Sequence, residues 1–160
     1  MRPATAGDEA LWLAMVAHSR ALMRASGNPT QWPEGYPSAA LFRGDVASGC
    51  AFMVEAGGRA VATFCLRDGE EPSYREIHGG AWPNDRPYAT IHRLASLGLQ
   101  RGVGHFVMRH CQAQRARLRA DTHRDNARLI SLFARHGFAY CGLIYVADGT
   151  ERRAYQWERA

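Results

Sequence analysis

Lysine is missing altogether: all 20 basic residues of this 160-residue chain are arginine. A chain without lysine forms no lysine Schiff base, holds no pyridoxal phosphate and carries no GK[ST] phosphate loop. Any run of 18 apolar residues is missing too, so no membrane-spanning helix is expected and no membrane partner. The opening MRPATAGDEA has no hydrophobic signal core, which points to a cytoplasmic location. Cysteine is sparse: Cys50, Cys65, Cys111 and Cys141 stand more than ten residues apart, which excludes a C-x-x-C metal or redox motif and leaves buried, reduced thiols. With 46% apolar and 22% charged residues the chain is neither disordered nor fibrous.

What is present fits one domain over residues 1–160, large enough to bury a core without metal or disulfide staples. The net charge is +5, and arginine's planar fork suits phosphate oxygens. The stripe Arg115, Arg117 and Arg119 reads as a solvated face, so nucleic acid is not an expected partner. Asp121-x-His123-x-Asp125 is the one tight His/Asp cluster. It reads as a polar strand end, and no metal is expected.

Residues 8–26 place Trp12, Met15, Val16, Ser19, Leu22 and Met23 at helical spacing, with Thr5 as the cap and Asp8 three residues on. Only a very short strand fits before this helix. NPTQWPEGYP over 28–37 must be a loop, and Ser38 caps a second helix that Gly49 ends. Two apolar runs, 51–56 and 59–66, meet at Gly57-Gly58, a hairpin signal. A long polar loop covers 68–87. Then come a strand over 88–96, a helix over 102–116, a strand over 118–122, a helix over 126–136 and a closing hairpin, 138–146 with 152–157, across Asp148-Gly149. The expected fold class is α/β in the α+β sense: a central mixed, mostly antiparallel sheet flanked by about four helices.

The sharpest local feature is Gln100-Arg101-Gly102-Val103-Gly104-His105, between a strand and a helix. Glycines there let a ligand approach the backbone, and the helix start offers unpaired N–H groups to a phosphate. The dinucleotide triplet is absent, because Val107 stands where its third glycine would fall.

That segment, taken with Ile91-His92-Arg93-Leu94-Ala95-Ser96 before it, resembles the strand and pyrophosphate loop of the GNAT superfamily of acyl-coenzyme A-dependent N-acyltransferases, (Q/R)-x-x-G-x-(G/A). NARLISLFARHGF over 126–138 resembles the family's N-x-x-A-x-x-L-Y-x-x-x-G-F. The resemblance spans essentially the whole element order and is strongest from Tyr88 to Tyr145. Two departures from the pattern matter. The leading Gln or Arg falls on Leu99, with Gln100 one place late, and the family's frequent tyrosine acid falls on Phe133, which has no proton to give.

The resemblance implies splayed central strands, 88–96 and 118–122, opening a cleft for the donor. It implies acetyl-CoA as acyl-donor cosubstrate, with Leu94, Ala95 and Ser96 along its pantetheine arm. Arg101, Gly102, Val103, Gly104 and His105, with Gln100 beside them, would hold its pyrophosphate, and Asn126 and Phe133 would line its course. The expected reaction is acetyl transfer to a primary amine by direct attack in a ternary complex. Phe133 keeps one rival open, a non-catalytic acyl-CoA-binding regulatory domain.

An alkylamine with a pKa of about 10.4 is neutral only about once in 10³ at pH 7, so the reaction gains from a base. His92 is the first candidate, with His123 and Asp121 as alternatives. On the acceptor side, the loop over 68–87 has five acids against two arginines, a balance of −3 that leaves +8 on the remainder. Glu76 and Trp82 from this loop, with Trp32 and Tyr36, are expected to form an acidic, aromatic mouth for a small-molecule or peptide amine. Monomer and homodimer are both compatible with the sequence.

Overall fold

The structure, a computed structural model, describes residues 1–159. Its seven strands run in the order β1-β2-β3-β4-β5-β7-β6, and four α-helices accompany them. The chain divides into two compact units. The first is Met1–Leu66 with His92–Gly104; the second is Arg67–Ile91 with the chain from His105 onward.

In the first unit, β1 (Arg2–Pro3) is as short as the sequence allows and pairs antiparallel with β2 (Ala51–Ala56). A 3₁₀ turn, Ala6–Asp8, then leads into α1 (Glu9–Ala25). The turn is fixed by one carboxylate. Asp8 accepts from the Thr5 amide at 2.8 Å and the Thr5 hydroxyl at 2.9 Å, while both Nη atoms of Arg2 fork onto it at 2.8 and 2.7 Å. The Arg2 guanidinium holds this carboxyl well below the usual carboxylate range. Trp12, Met15, Val16 and Ser19 are the buried face of α1, at the i, i+3, i+4, i+7 spacing read from the sequence. Ser38 caps α2 (Ala39–Ala47) by accepting from the Leu41 amide at 3.3 Å. Trp12 stacks on Phe42 with ring centroids 4.9 Å apart, and Met15, Met53 and Ala95 complete this core. The hairpin of β2 and β3 (Arg59–Asp68) turns at Gly57 and Gly58, whose φ values of 57° and 74° are those of a tight primed turn.

In the second unit, the start of β4 (Ala89–Ser96) pairs parallel with β5 (Arg117–Thr122) at Ala89↔Leu118 and Thr90↔Arg119. β5 pairs antiparallel with β7 (Glu151–Glu158) from Arg117↔Glu158 to Thr122↔Arg153, and β7 with β6 (Ala139–Tyr145). The helices here are α3 (Val103–Gln114) and α4 (Ala127–Arg135). The mixed, mostly antiparallel sheet with four helices is the expected architecture.

The loop over 68–87 is more structured than its polarity suggests. Pro72–Tyr74 is a 3₁₀ turn, and Tyr74 is buried against Ile144 and Ala154. His78 and Leu143 exchange two backbone hydrogen bonds of 2.8 Å, and a Cβ on Gly80 would lie 2.0 Å from the Cys141 carbonyl oxygen. The expected solvated arginine stripe is also overturned. Arg119 is 4% exposed, its guanidinium lies 3.9 Å from the Trp82 ring centroid and 4.0 Å from that of Tyr88, and it donates to Gln156 Oε1 and the Asn84 carbonyl at 2.8 Å each. Arg115 pairs with Asp68 and Arg117 with Glu158, both at 2.7 Å. Asp68 and Glu158 hold Arg115 and Arg117, while two aromatic rings, a side-chain amide and a backbone carbonyl hold Arg119. Arg119→Met retains the stem and orphans two buried acceptors, so it should cost about 2–4 kcal/mol of stability, read as a lower urea midpoint.

Candidate active site

The residues expected on the donor side that fall in the first unit lie in one continuous segment, His92–Gly104. His92 is half-buried on β4. Arg93 beside it has φ 53°, the one non-glycine residue with a positive φ among those described. A side chain in this conformation costs about 1–2 kcal/mol. What holds it is Asp45 of α2, whose Oδ2 accepts from Arg93 Nε at 2.9 Å and Nη2 at 2.5 Å, with both side chains almost wholly buried. The strand kinks at Arg93, and Leu94, Ala95 and Ser96 follow it directly. Ala95 turns into the core at 3% exposure.

Ser96 departs from expectation. Its amide donates to Ser19 Oγ at 3.0 Å, and the Ser19 hydroxyl lies 3.4 Å from the Ser96 carbonyl oxygen it points to. An added ligand strand at Ser96 has to displace that hydroxyl, because a polar group from α1 already takes the place of the incoming amide. Ser19 was visible in the sequence only as the polar member of an apolar helix face.

After Ser96 the chain turns through Gly98 (φ 70°) and Gly102 (φ 78°) into α3. A side chain at Gly98 would be strained at this φ, and its Cβ, 2.7 Å from His18 Nε2, would make that imidazole shift. Around Gly102 there is open space. Leu99, at the motif's first position, is 75% exposed, and Gln100 and Arg101 are exposed beside it. Val103, Gly104 and His105 are the first turn of α3, where amides lack intrahelical acceptors and the helix presents its positive end.

In the second unit, His105 Nδ1 lies 2.9 Å from His136 Nε2, and His136 is held in turn by Gln112 through its ring (3.3 Å) and its carbonyl (2.8 Å). Asn126 caps α4 by accepting from the Leu129 amide at 3.1 Å. Phe133 is 2% exposed, packed between Phe138 and Tyr155. Its apolar ring belongs to this core, which is where its burial energy goes.

Asp121 accepts from the buried Tyr74 hydroxyl at 2.7 Å, a contact that joins residues 47 apart and that no spacing announced. Burial first, then the Asp121 charge, push the Tyr74 phenol well above its ordinary range. His123 stands just past β5 and accepts at Nδ1 from the Asp125 amide at 3.2 Å, and burial lowers its pKa. The trio of Asp121, His123 and Asp125 does not gather as a metal site. Among the described residues, the group whose ligand atoms do lie within 4.8 Å of one another is Asp45, Cys50 and Cys65.

The four expected acceptor residues divide by role. Trp32 is 7% exposed in the core of the first unit, and the Trp82 ring faces Arg119 while its Nε1 donates to the Tyr74 carbonyl at 2.8 Å. Tyr36, at 39% exposure, and Glu76 present their side chains to solvent. Glu70 is tied to Arg75 at 2.7 Å, which removes one acid from the expected mouth.

No family model and no curated protein sequence matches this chain. Solved structures do. An acetyltransferase of the GNAT family from Streptococcus agalactiae is 27% identical over 99% of this chain and 94% of its own, with a TM-score of 0.89. An agmatine N-acetyltransferase (15% identity, 99% and 98% covered, TM-score 0.65) and an aminoglycoside acetyltransferase in complex with coenzyme A (16%, 99% and 93%, 0.65) share the fold. The chain is thus similar to GNAT-family acetyltransferases over 99% of its length, a likeness that supports an enzyme transferring acyl groups.

Burial and then the neighbouring His105 and Arg109 lower His136 below its ordinary 6.5, and burial lowers His110 and His123 as well. Each binds its proton less readily folded than unfolded. Their contribution to stability is complete above pH 6.5 and fades as pH falls below it. The urea midpoint should therefore be lower at pH 5 than at pH 7.5, and His136→Gln should narrow that gap.

Proposed function

We propose that this enzyme transfers an acetyl group from acetyl-CoA to a primary amine by direct attack, with both substrates bound together. The observation that carries the proposal is the continuity of His92–Gly104: a kinked strand, a glycine turn and a helix N-terminus follow one another within 13 residues of one unit. Pantetheine amides would run along the β4 edge at Leu94 in the manner of an added strand, and at Ser96 they would replace the Ser19 hydroxyl. The amides of Arg101 to His105 would take the pyrophosphate, and a backbone N–H at the kink would polarise the thioester carbonyl.

Direct attack is supported by the state of the thiols. All four are buried, and burial pushes Cys111 up to about 12 and raises Cys141, so neither supplies a thiolate to carry the acyl group. The coenzyme A thiolate, with a pKa of about 8.5, departs without needing the hydroxyl that Phe133 lacks. His92 is the proposed base for the ammonium proton, with Asp121 and His123 the other groups able to take it. Tyr36 and Glu76 are the proposed acceptor contacts, an aromatic face and a carboxylate that both favour a cation.

Thiol release from acetyl-CoA should be measured against polyamines, amino acids, aminoglycosides and peptides, and at least one amine should give turnover. With that amine, His92→Gln should lower kcat about 10²-fold at pH 7 and flatten the acid limb of the pH profile. Gly102→Val, strained at φ 78°, should raise KM for acetyl-CoA and leave the amine KM alone. Tyr36→Ala with Glu76→Gln should do the reverse. Calorimetry that records no heat for acetyl-CoA, or a panel with no turnover, would remove the proposal.

A further inference from the structure

Beneath the β4 kink lies a pair of thiols for which acyl transfer has no use. Cys50, at the junction of α2 and β2, and Cys65, on β3, are 6% and 2% exposed. Their sulfurs are 3.3 Å apart, with the Cys65 thiol directed at Cys50 Sγ. The backbone sets this up: Ala51 pairs with Cys65, and the Leu66 amide donates to the Cys50 carbonyl at 2.9 Å, so the two cysteines are diagonal neighbours across the ladder. The Cys50 thiol also points at the Asp45 carbonyl, 3.4 Å away, and Asp45 Oδ1 is 3.7 Å from the same sulfur.

We propose that Cys50 and Cys65 are a modification site, a dithiol that an oxidant of the peroxide class closes to an intramolecular disulfide. A disulfide bond is about 2.05 Å long, so the sulfurs need approach by only about 1.2 Å. The alternative use of the same atoms, a cation held by Asp45, Cys50 and Cys65, is opposed by the Arg93 guanidinium on Asp45 Oδ2. A metal would add charge and require thiolates in a buried cage that already holds one cation. Closing two neutral thiols to a neutral disulfide leaves the Asp45–Arg93 pair as it stands.

The chemistry balances with hydrogen peroxide. The sulfur of Cys50, the more exposed of the two, attacks a peroxide oxygen; the O–O bond breaks, one water leaves and a sulfenic acid remains. The sulfur of Cys65 then attacks that sulfur. The S–S bond forms, the S–O bond breaks, and the hydroxyl departs as water with the Cys65 proton. Two thiols lose two protons and two electrons, and one peroxide becomes two waters. Access comes from the turn at Gly49 (φ 68°), at a helix terminus where local opening costs least. The bond to Cys50, and then burial, hold the Cys65 thiol far above its ordinary range, so closure is slow and the reduced pair resists alkylation.

Closure removes the S–H donor that faces the Asp45 carbonyl, on the residue that anchors Arg93. The full chain should be treated with hydrogen peroxide while native, then denatured, alkylated and digested with trypsin. Cleavage after Arg43, Arg59 and Arg67 puts the two cysteines on separate peptides. The expected result is those two peptides joined, lighter by two hydrogens and separated by dithiothreitol, with Cys111 and Cys141 still alkylated. Cys65→Ser should abolish the joined species and leave Cys50 as a dimedone-trapped sulfenic acid. The wild-type map stands alone should that variant fail to fold. Alkylation of all four thiols after native oxidation, or a link that forms only in urea, would overturn the proposal. None of these readouts involves acyl transfer, so the outcome is separate from that reading.

Discussion

A single buried ion pair decides the form of the strand on which the proposed chemistry depends. Arg93 occupies a backbone conformation that an L side chain avoids, and it stays there because Asp45 grips its guanidinium from α2. Neither charge could be buried alone, since an unpaired charge in a low-dielectric interior costs several kcal/mol. The pair thus links two choices: α2 must lie where Asp45 reaches β4, and β4 must bend where Arg93 reaches Asp45. The kink is a product of tertiary charge pairing, and nothing in the local propensity of Ile91-His92-Arg93-Leu94 would generate it.

The same logic runs through the second unit. Arg119 lies between two aromatic rings with its nitrogens satisfied by Gln156 and Asn84, and Arg117 and Arg115 meet Glu158 and Asp68. The loop over 68–87 is fastened by these contacts, by the Tyr74–Asp121 hydrogen bond and by the His78–Leu143 bridge. Of its acids, Asp68 is tied to Arg115 and Glu70 to Arg75. Glu76 remains exposed.

Periodicity made the elements legible. The α1 face, the Gly57-Gly58 turn and the Ser38 cap all act through neighbours a few residues away, and each lies within a residue or two of where the pattern put it. The glycine turn and the helix start over 98–105 were legible for the same reason, because such features are local. The pairs Asp45–Arg93, Tyr74–Asp121 and Ser19–Ser96 were not, since they join residues 48, 47 and 77 positions apart. The arginine stripe was misread because alternation on a strand shows which residues share a face and says nothing of what covers that face. Trp32 and Trp82 were assigned to an acceptor on residue type, and packing claims both.

That the anchoring cations are guanidinium groups bears on life beside a reactive thioester. An acylated ammonium would lose its charge and release its carboxylate partner; a guanidinium is a far poorer nucleophile and stays protonated. With arginine at 93, 119 and 2, and no lysine in the sequence, none of these structural ties rests on an amine side chain that an acyl thioester could modify.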